Sequence, residues 1–179
     1  MRAGLITGTY CDAVACHGFL RDRDGTITTF YAPGAGTSGF AGTFPFSINP
    51  AGTITGRYYD ASFASHGFVR ARDGAIITFD APGAVSGVEF QGTSPFGVNP
   101  AGEITGYYQD MNLATHGFVR ARDGTITTFD VPGAATGPGT SPFGINPAGV
   151  IAGFYYDAAF QRIHGFLRIP HGNPYGPAN

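Results

Sequence analysis

The tripeptide His-Gly-Phe returns four times along this chain, from His17, His66, His116 and His164, at intervals of 49, 50 and 48 residues. Asn-Pro-Ala-Gly returns three times, from Asn49, Asn99 and Asn146. A fixed period of this size constrains the fold strongly: each period must be one supersecondary unit that buries its apolar surface against its neighbours. The second unit reads TITGRYYDASFASHGFVRARDGAIITFDAPGA and the third EITGYYQDMNLATHGFVRARDGTITTFDVPGA, while the first and last are divergent copies. The repeats run over 1–37, 43–86, 93–136 and 140–170 within a single domain of 1–179, and 171–179 form a tail.

Each full unit holds four short segments rich in β-branched and aromatic residues, separated by turn formers. In the third unit these are Ser94 to Val98, Glu103 to Tyr108, Gly117 to Ala121 and Thr125 to Asp130, here called a, b, c and d. Asn-Pro-Ala-Gly joins a to b. Arg-Asp-Gly joins c to d, with Asp73 and Asp123 ahead of the glycine that a type I′ hairpin wants. The b–c and d–a connections are longer. Four antiparallel strands in roughly 50 residues, with the longest loop between repeats, predict an all-β chain and a β-propeller of about four four-stranded blades. With 29 glycines and 13 prolines, long helices are excluded. The first blade lacks strand a and the last lacks d. Leu5 to Tyr10 and Gly165 to Ile169 are therefore expected to present open edges, and the three-proline tail after Ile169 cannot serve as a regular strand. This predicts a homodimer joined through open blade edges into an eight-bladed ring. A closed four-bladed monomer and a piece of a longer array are the alternatives.

Composition bounds the function. A net charge of −2 with 12% charged residues excludes a basic nucleic-acid binder. The chain has no lysine, which excludes Schiff-base chemistry and a Walker-type phosphate loop. No apolar run is long enough to span a bilayer, and the opening Met1-Arg2-Ala3-Gly4 has no secretory-signal pattern. The 25 Phe and Tyr side chains supply a core, expected between blades from Phe68, Phe79, Phe96, Phe118, Phe129 and Phe143.

Topology places the a–b and c–d turns on one rim and the b–c and d–a loops on the other. The second rim collects Asp60, His66 and Asp80, then Asp110, His116 and Asp130, with Asp12 and His17 in the first unit and Asp157 and His164 in the last. A histidine between two carboxylates fits a general base (His66 or His116 with Asp60 or Asp110), a metal site, a per-blade sugar site, or a hydrogen-bonded lock repeated for structural reasons. Tyr58, Tyr59, Tyr107, Tyr108, Tyr155 and Tyr156 lie beside these loops and could stack on sugar rings. On the innermost strand, Asn49, Asn99 and Asn146 would converge near a channel, where oxygen ligands suit calcium, or else close their own turns. Arg70, Arg72, Arg120 and Arg122 alternate along strand c and read as a solvated edge or interblade salt bridges. Cys11 and Cys16 flank the first b–c loop and suit either a disulfide or, with His17 and Asp12, a metal site. No Gly-x-Ser-x-Gly, His-Glu-x-x-His or Cys-x-x-Cys motif is present, so no nucleophile or zinc signature supports an enzyme.

HGFVRARDGTITTFDVPGA followed by GTSPFGINPAG resembles the HAF-type extracellular repeats of bacterial proteins, over essentially the whole chain. The resemblance implies a β-repeat fold and a secreted or surface-exposed protein, and carries no catalytic residues. The departures are the truncated ends and Tyr31, which stands where other units have Asp80 and Asp130. Three functions follow as expectations: a multivalent binder of a small molecule or glycan through the Asp/His/Tyr loops, a calcium-dependent hydrolase of lactones or esters, or a structural surface repeat.

Overall fold

A computed structural model describes residues 4–159 and 162–170. The tail 171–179 lies outside the described residues. The described chain is all-β, with fourteen strands in three sheets. Unit 1 supplies β1 (Ile6–Cys11), β2 (Cys16–Arg21) and β3 (Ile27–Phe30). Unit 2 supplies β4 (Gly42–Ile48), β5 (Ile54–Tyr59), β6 (Ser65–Arg70) and β7 (Ile76–Phe79). Unit 3 follows with β8 (Thr93–Val98), β9 (Ile104–Gln109), β10 (Thr115–Arg120) and β11 (Ile126–Phe129). Unit 4 has β12 (Thr140–Ile145), β13 (Ile151–Tyr156) and β14 (Ile163–Arg168). Within each unit consecutive strands pair antiparallel. One parallel bridge, Cys16 to Gly42, joins units 1 and 2 into a seven-stranded sheet; Ser65 to Gly92 is its counterpart one unit later. Only glycine fits there: a Cβ on Gly42 would lie 2.0 Å from the Cys16 carbonyl oxygen, and Gly42 holds a φ of 138°.

The His-Gly-Phe motif can now be read residue by residue. Its phenylalanine, Phe68 or Phe118, is fully buried. A Cβ on its glycine, Gly67 or Gly117, would collide with the ring of Phe79 or Phe129, so this position stays empty for the aromatic of the next strand. The core therefore lies between units. Phe30 and Ala32 of unit 1 pack with Ile54, Tyr58 and Phe68 of unit 2, with Leu20 against them. Ala81, Val69 and Phe79 repeat the arrangement on Ile104, Tyr108 and Phe118. Each such Ile or Phe removed from water contributes about 1.5–3 kcal/mol. Threonine hydroxyls tie the junctions: Thr43, Thr93 and Thr140 accept the backbone N–H of Ala32, Ala81 and Val131, each at 2.9 Å.

Three expectations are corrected. Phe96 and Phe143 pack between units but are not buried core, Phe96 being half-buried and Phe143 exposed. They sit at the β-bulges of strand a with Phe46, where the register shifts beside a proline, and Phe46 and Phe143 are each 41% exposed. Their rings run as a ladder, Phe46 to Phe96 at 5.0 Å and Phe96 to Phe143 at 4.8 Å. Arg70 and Arg120 are buried rather than solvated. Each guanidinium lies 5.0 Å from the ring of the preceding unit's last strand, Phe30 or Phe79, and Arg168 does the same on Phe129 at 4.8 Å. Arg72 and Arg122 are exposed. Finally, the Arg-Asp-Gly turn is not type I′. The Gly74 N–H donates to the Ala71 carbonyl, and the positive φ is on Gly74 at 99°, not on Asp73, so a type I turn is followed by a glycine bulge. Asn-Pro-Ala-Gly closes in the same way, from the Gly52 N–H to the Asn49 carbonyl with Gly52 at 86°.

Candidate functional site

The b–c loop is organised by its aspartate. Asp60 Oδ1 accepts N–H bonds from Ser62 at 2.8 Å and Ala64 at 2.9 Å, and Asp110 does the same with Asn112 and Ala114. Asp12 holds Val14 and Ala15 in the shorter first loop. This wrapping leaves one oxygen of each aspartate for the histidine. Phe63 and Leu113 take left-handed backbone angles of 62° and 61° inside these turns, an uncommon conformation for bulky residues that the aspartate's bonds help to hold.

The His-Gly-Phe histidine then bridges two acids. His66 Nδ1 lies 2.9 Å from Asp80 Oδ2, and its Nε2 lies 3.5 Å from Asp60 Oδ2. His116 repeats the geometry with Asp130 at 2.9 Å and Asp110 at 3.5 Å. His164 Nε2 lies 3.6 Å from Asp157 in unit 4. In unit 1, His17 Nε2 is 2.9 Å from Asp12 and its Nδ1 meets the Tyr31 hydroxyl, so a phenol stands where the other units have a carboxylate. The position-matched Tyr31 was the sequence signal for this exchange. All four imidazoles stack on the tyrosine of strand b, at 4.7 to 5.1 Å between centroids, through Tyr10, Tyr58, Tyr108 and Tyr155.

This arrangement decides what the histidine can do. A neutral imidazole between two carboxylates would aim one bare lone pair at an anion, whereas the imidazolium donates to both. Hydrogen bonding to Asp80 raises the His66 pKa above its ordinary 6.5, against the opposing effect of burial. Partial burial works against the charge of Asp60 and Asp110, but the Ser62 hydroxyl on Asp60, N–H bonds from the turns of both and the histidine bond outweigh it and lower both pKa values. When protonated, His66 donates to both carboxylates and has no lone pair to take a proton or bind a metal. Among the described residues, no group of three or more His, Cys, Asp and Glu is placed to hold a metal ion.

The tyrosines take a different part from ligand stacking. Tyr58, Tyr59 and Tyr108 are buried, so they offer no open ring face. Burial raises the hydroxyl pKa of each of the three. The asparagines are also occupied. Asn49 Oδ1 accepts from Ala51 and Thr53 in its own turn, while its Nδ2 donates to the Asn99 carbonyl of the next unit at 2.9 Å. Asn99 Nδ2 reaches Glu103 at 2.6 Å and the Asn146 carbonyl at 3.3 Å, and Asn146 Oδ1 caps Ala148 and Val150. The amides thus form a clasp from unit to unit. Their oxygens point at N–H donors in the turn. Cys11 and Cys16, opposite each other at the ends of β1 and β2, are joined by a disulfide.

Two cavities lie at unit junctions, one on each rim. One, of about 440 Å³, is lined by Asp110, Asn112, His116 and Asp130 together with Ala134, Ala135 and Thr136 of the connection into unit 4. Asn112 and the 134–136 backbone were not among the expected site residues; the d–a connection is held between units 3 and 4, where the Ala135 N–H donates to the Tyr156 carbonyl and the Thr115 N–H donates to the Gly137 carbonyl. The other, of about 300 Å³, lies between the turns of units 2 and 3, with Arg120 and Arg122 on its wall.

No protein-family profile matches this chain, and no curated protein does. Among solved structures it is similar to an arginine-to-alanine triple mutant of AofleA from Arthrobotrys oligospora, at 17% identity and a TM-score of 0.36. The alignment covers 94% of this chain and 58% of that one, so this chain spans less than two thirds of that protein's length.

Proposed function

We propose that the chain is a secreted, HAF-like β-propeller repeat protein that binds a polyhydroxylated small molecule or glycan at its b–c and d–a loops. The observation that carries this reading is the convergence of Asp110, Asn112, His116 and Asp130 on the cavity beside Ala134–Thr136. The His116 ring holds both carboxylates in place, and their remaining oxygens accept hydroxyl protons, with Thr136 and Asn112 adding donors. Carboxylates so held are better suited to reading the hydroxyls of a sugar than to acid–base chemistry, because the histidine is already committed. Near-identical clusters in units 2 and 3 allow more than one contact with a branched or repeating glycan. The repeated a–b–c–d meander, with neighbouring strands β4, β8 and β12 packed side by side, supports the reading of units as blades.

A glycan array followed by calorimetry tests this. A hit is expected, weakened at least tenfold by Asp130→Asn, a change of about 1.4 kcal/mol. Absence of any carbohydrate hit, or a hit indifferent to Asp130→Asn and Asp110→Asn, contradicts it.

A further inference from the structure

The three junctions inside the chain define what covers each unit's leading face. The isoleucine that opens strand b, Ile54, Ile104 or Ile151, is 0% exposed under the preceding unit. The matching Ile6 of unit 1 is 48% exposed. Tyr58 and Tyr108 are each 7% exposed, while their counterpart Tyr10 is 43% exposed. Phe19 is only partly buried where Phe68 and Phe118 are fully so, and Arg21 occupies the place from which Arg70 and Arg120 reach back onto a preceding ring. Unit 1 therefore displays the face that is covered on units 2 and 3, and whose opening isoleucine is also covered on unit 4.

The complementary surface lies on unit 4. Inside the chain, a unit covers the next one partly through the aliphatic residue of strand c, Leu20 or Val69. The corresponding residue on β14 is Leu167, which is 70% exposed, and it is flanked on the same side of the strand by exposed Ile163 and Ile169. The inner units carry Ser65 or Thr115 and Ala71 or Ala121 at the places of these two isoleucines, so the trailing face of unit 4 is more apolar than the internal ones. His164, Phe166 and Arg168 alternate toward unit 3, where Phe166 lies 6.3 Å from Phe129.

We infer that the leading face of unit 1 docks a second copy of this chain, through that copy's β14 face of Ile163, Leu167 and Ile169. The contact is heterologous, head to tail, and continues the stacking used at the internal junctions. It buries side-chain faces and does not require the backbone edges of β1 and β14 to pair. The occupant is set by shape and chemistry already present: an apolar strand face of this repeat is what covers the same residues elsewhere in the molecule.

The test is light scattering on the chain and on two single variants, Ile6→Glu and Leu167→Glu, from low to high micromolar concentration. Both positions are exposed in the isolated chain, and circular dichroism melts verify that each variant folds as the unmodified chain does. The unmodified chain is expected to exceed its monomer mass as concentration rises, and either variant to remain monomeric. Mixing the two variants is expected to restore association as a one-to-one pair, because each retains the face that the other has lost. A monomeric mass for the unmodified chain at every concentration overturns the inference. Failure of the mixture to associate also overturns it, as does self-association of Leu167→Glu alone, the result that a like-with-like contact of two leading faces would give.

Discussion

Units 1 and 3 carry the same motif under different conditions. In unit 3, Phe118 is sealed beneath unit 2, His116 lies between two carboxylates, and the b–c loop is held by Asp110 around a left-handed Leu113. In unit 1, Phe19 is partly open, His17 lies between Asp12 and the Tyr31 hydroxyl, and a disulfide closes a loop one residue shorter. What survives in both is an aspartate wrapped by its own loop and bonded to the histidine, which in turn stacks on a tyrosine. What varies is the group on the other ring nitrogen. The constant part is the loop lock, and the second acid is what turns that lock into a charged surface.

The largest expected effect separates the two cores. Phe118→Ala is expected to cost about 3–5 kcal/mol in chemical denaturation, with Phe19→Ala costing less than half of that, because unit 1's face is not covered in the isolated chain. Equal costs would mean that the two faces are buried alike. Replacing both Cys11 and Cys16 by serine removes the cross-link that only unit 1 has. A loop this short gives a loss of about 2 kcal/mol by the chain-entropy estimate, read as a lower denaturation midpoint at unchanged slope. Asn99→Ala opens the clasp between units 3 and 4 and leaves the Glu103 N–H and the Asn146 carbonyl without their side-chain partner. About 1–2 kcal/mol is expected, with no effect of a chelator on the melting temperature of the unmodified chain.

The smallest effect is a pH dependence. His66 has a raised pKa in the folded chain, so its contribution to stability is complete below the ordinary 6.5 and is lost as pH rises through the folded value. Asp60 has a lowered pKa, so its contribution is complete above the ordinary 3.8 and disappears as pH falls through the folded value. Between those limits the unit 2 cluster stabilises most. Asp80→Asn removes the main cause of the His66 shift and is expected to flatten the fall in melting temperature on the alkaline side.

Much of this was legible in the sequence. The period, the four-strand meander, the two rims and the meeting of Asp60, His66 and Asp80 follow from spacing and turn chemistry alone. The misreadings of the arginines and tyrosines share one physical origin: the sequence does not show which side chain of a neighbouring unit lies opposite. Arg70 and Arg120 read as a solvated edge or as interblade salt bridges; their partner does lie one repeat earlier, but it is an aromatic ring and not a carboxylate. Tyr59 and Tyr108 read as ligand platforms, yet both are buried, Tyr59 edge-on to Phe90 in the following connection and Tyr108 within the unit 2–unit 3 core. Phe96 and Phe143 read as core by their type, and a bulge beside proline turns them outward into the ladder. The turn type was missed because Asp-Gly suits two hairpin geometries, which differ in where the positive φ falls.

The most direct measurement is nitrogen NMR of the His66 imidazole at pH 6.5, its ordinary midpoint. Both ring nitrogens are expected to carry a proton in more than half of the molecules, with that fraction falling in Asp80→Asn. A neutral ring with one bare nitrogen would contradict the bridging-cation account and return His66 to the general-base and metal-ligand roles.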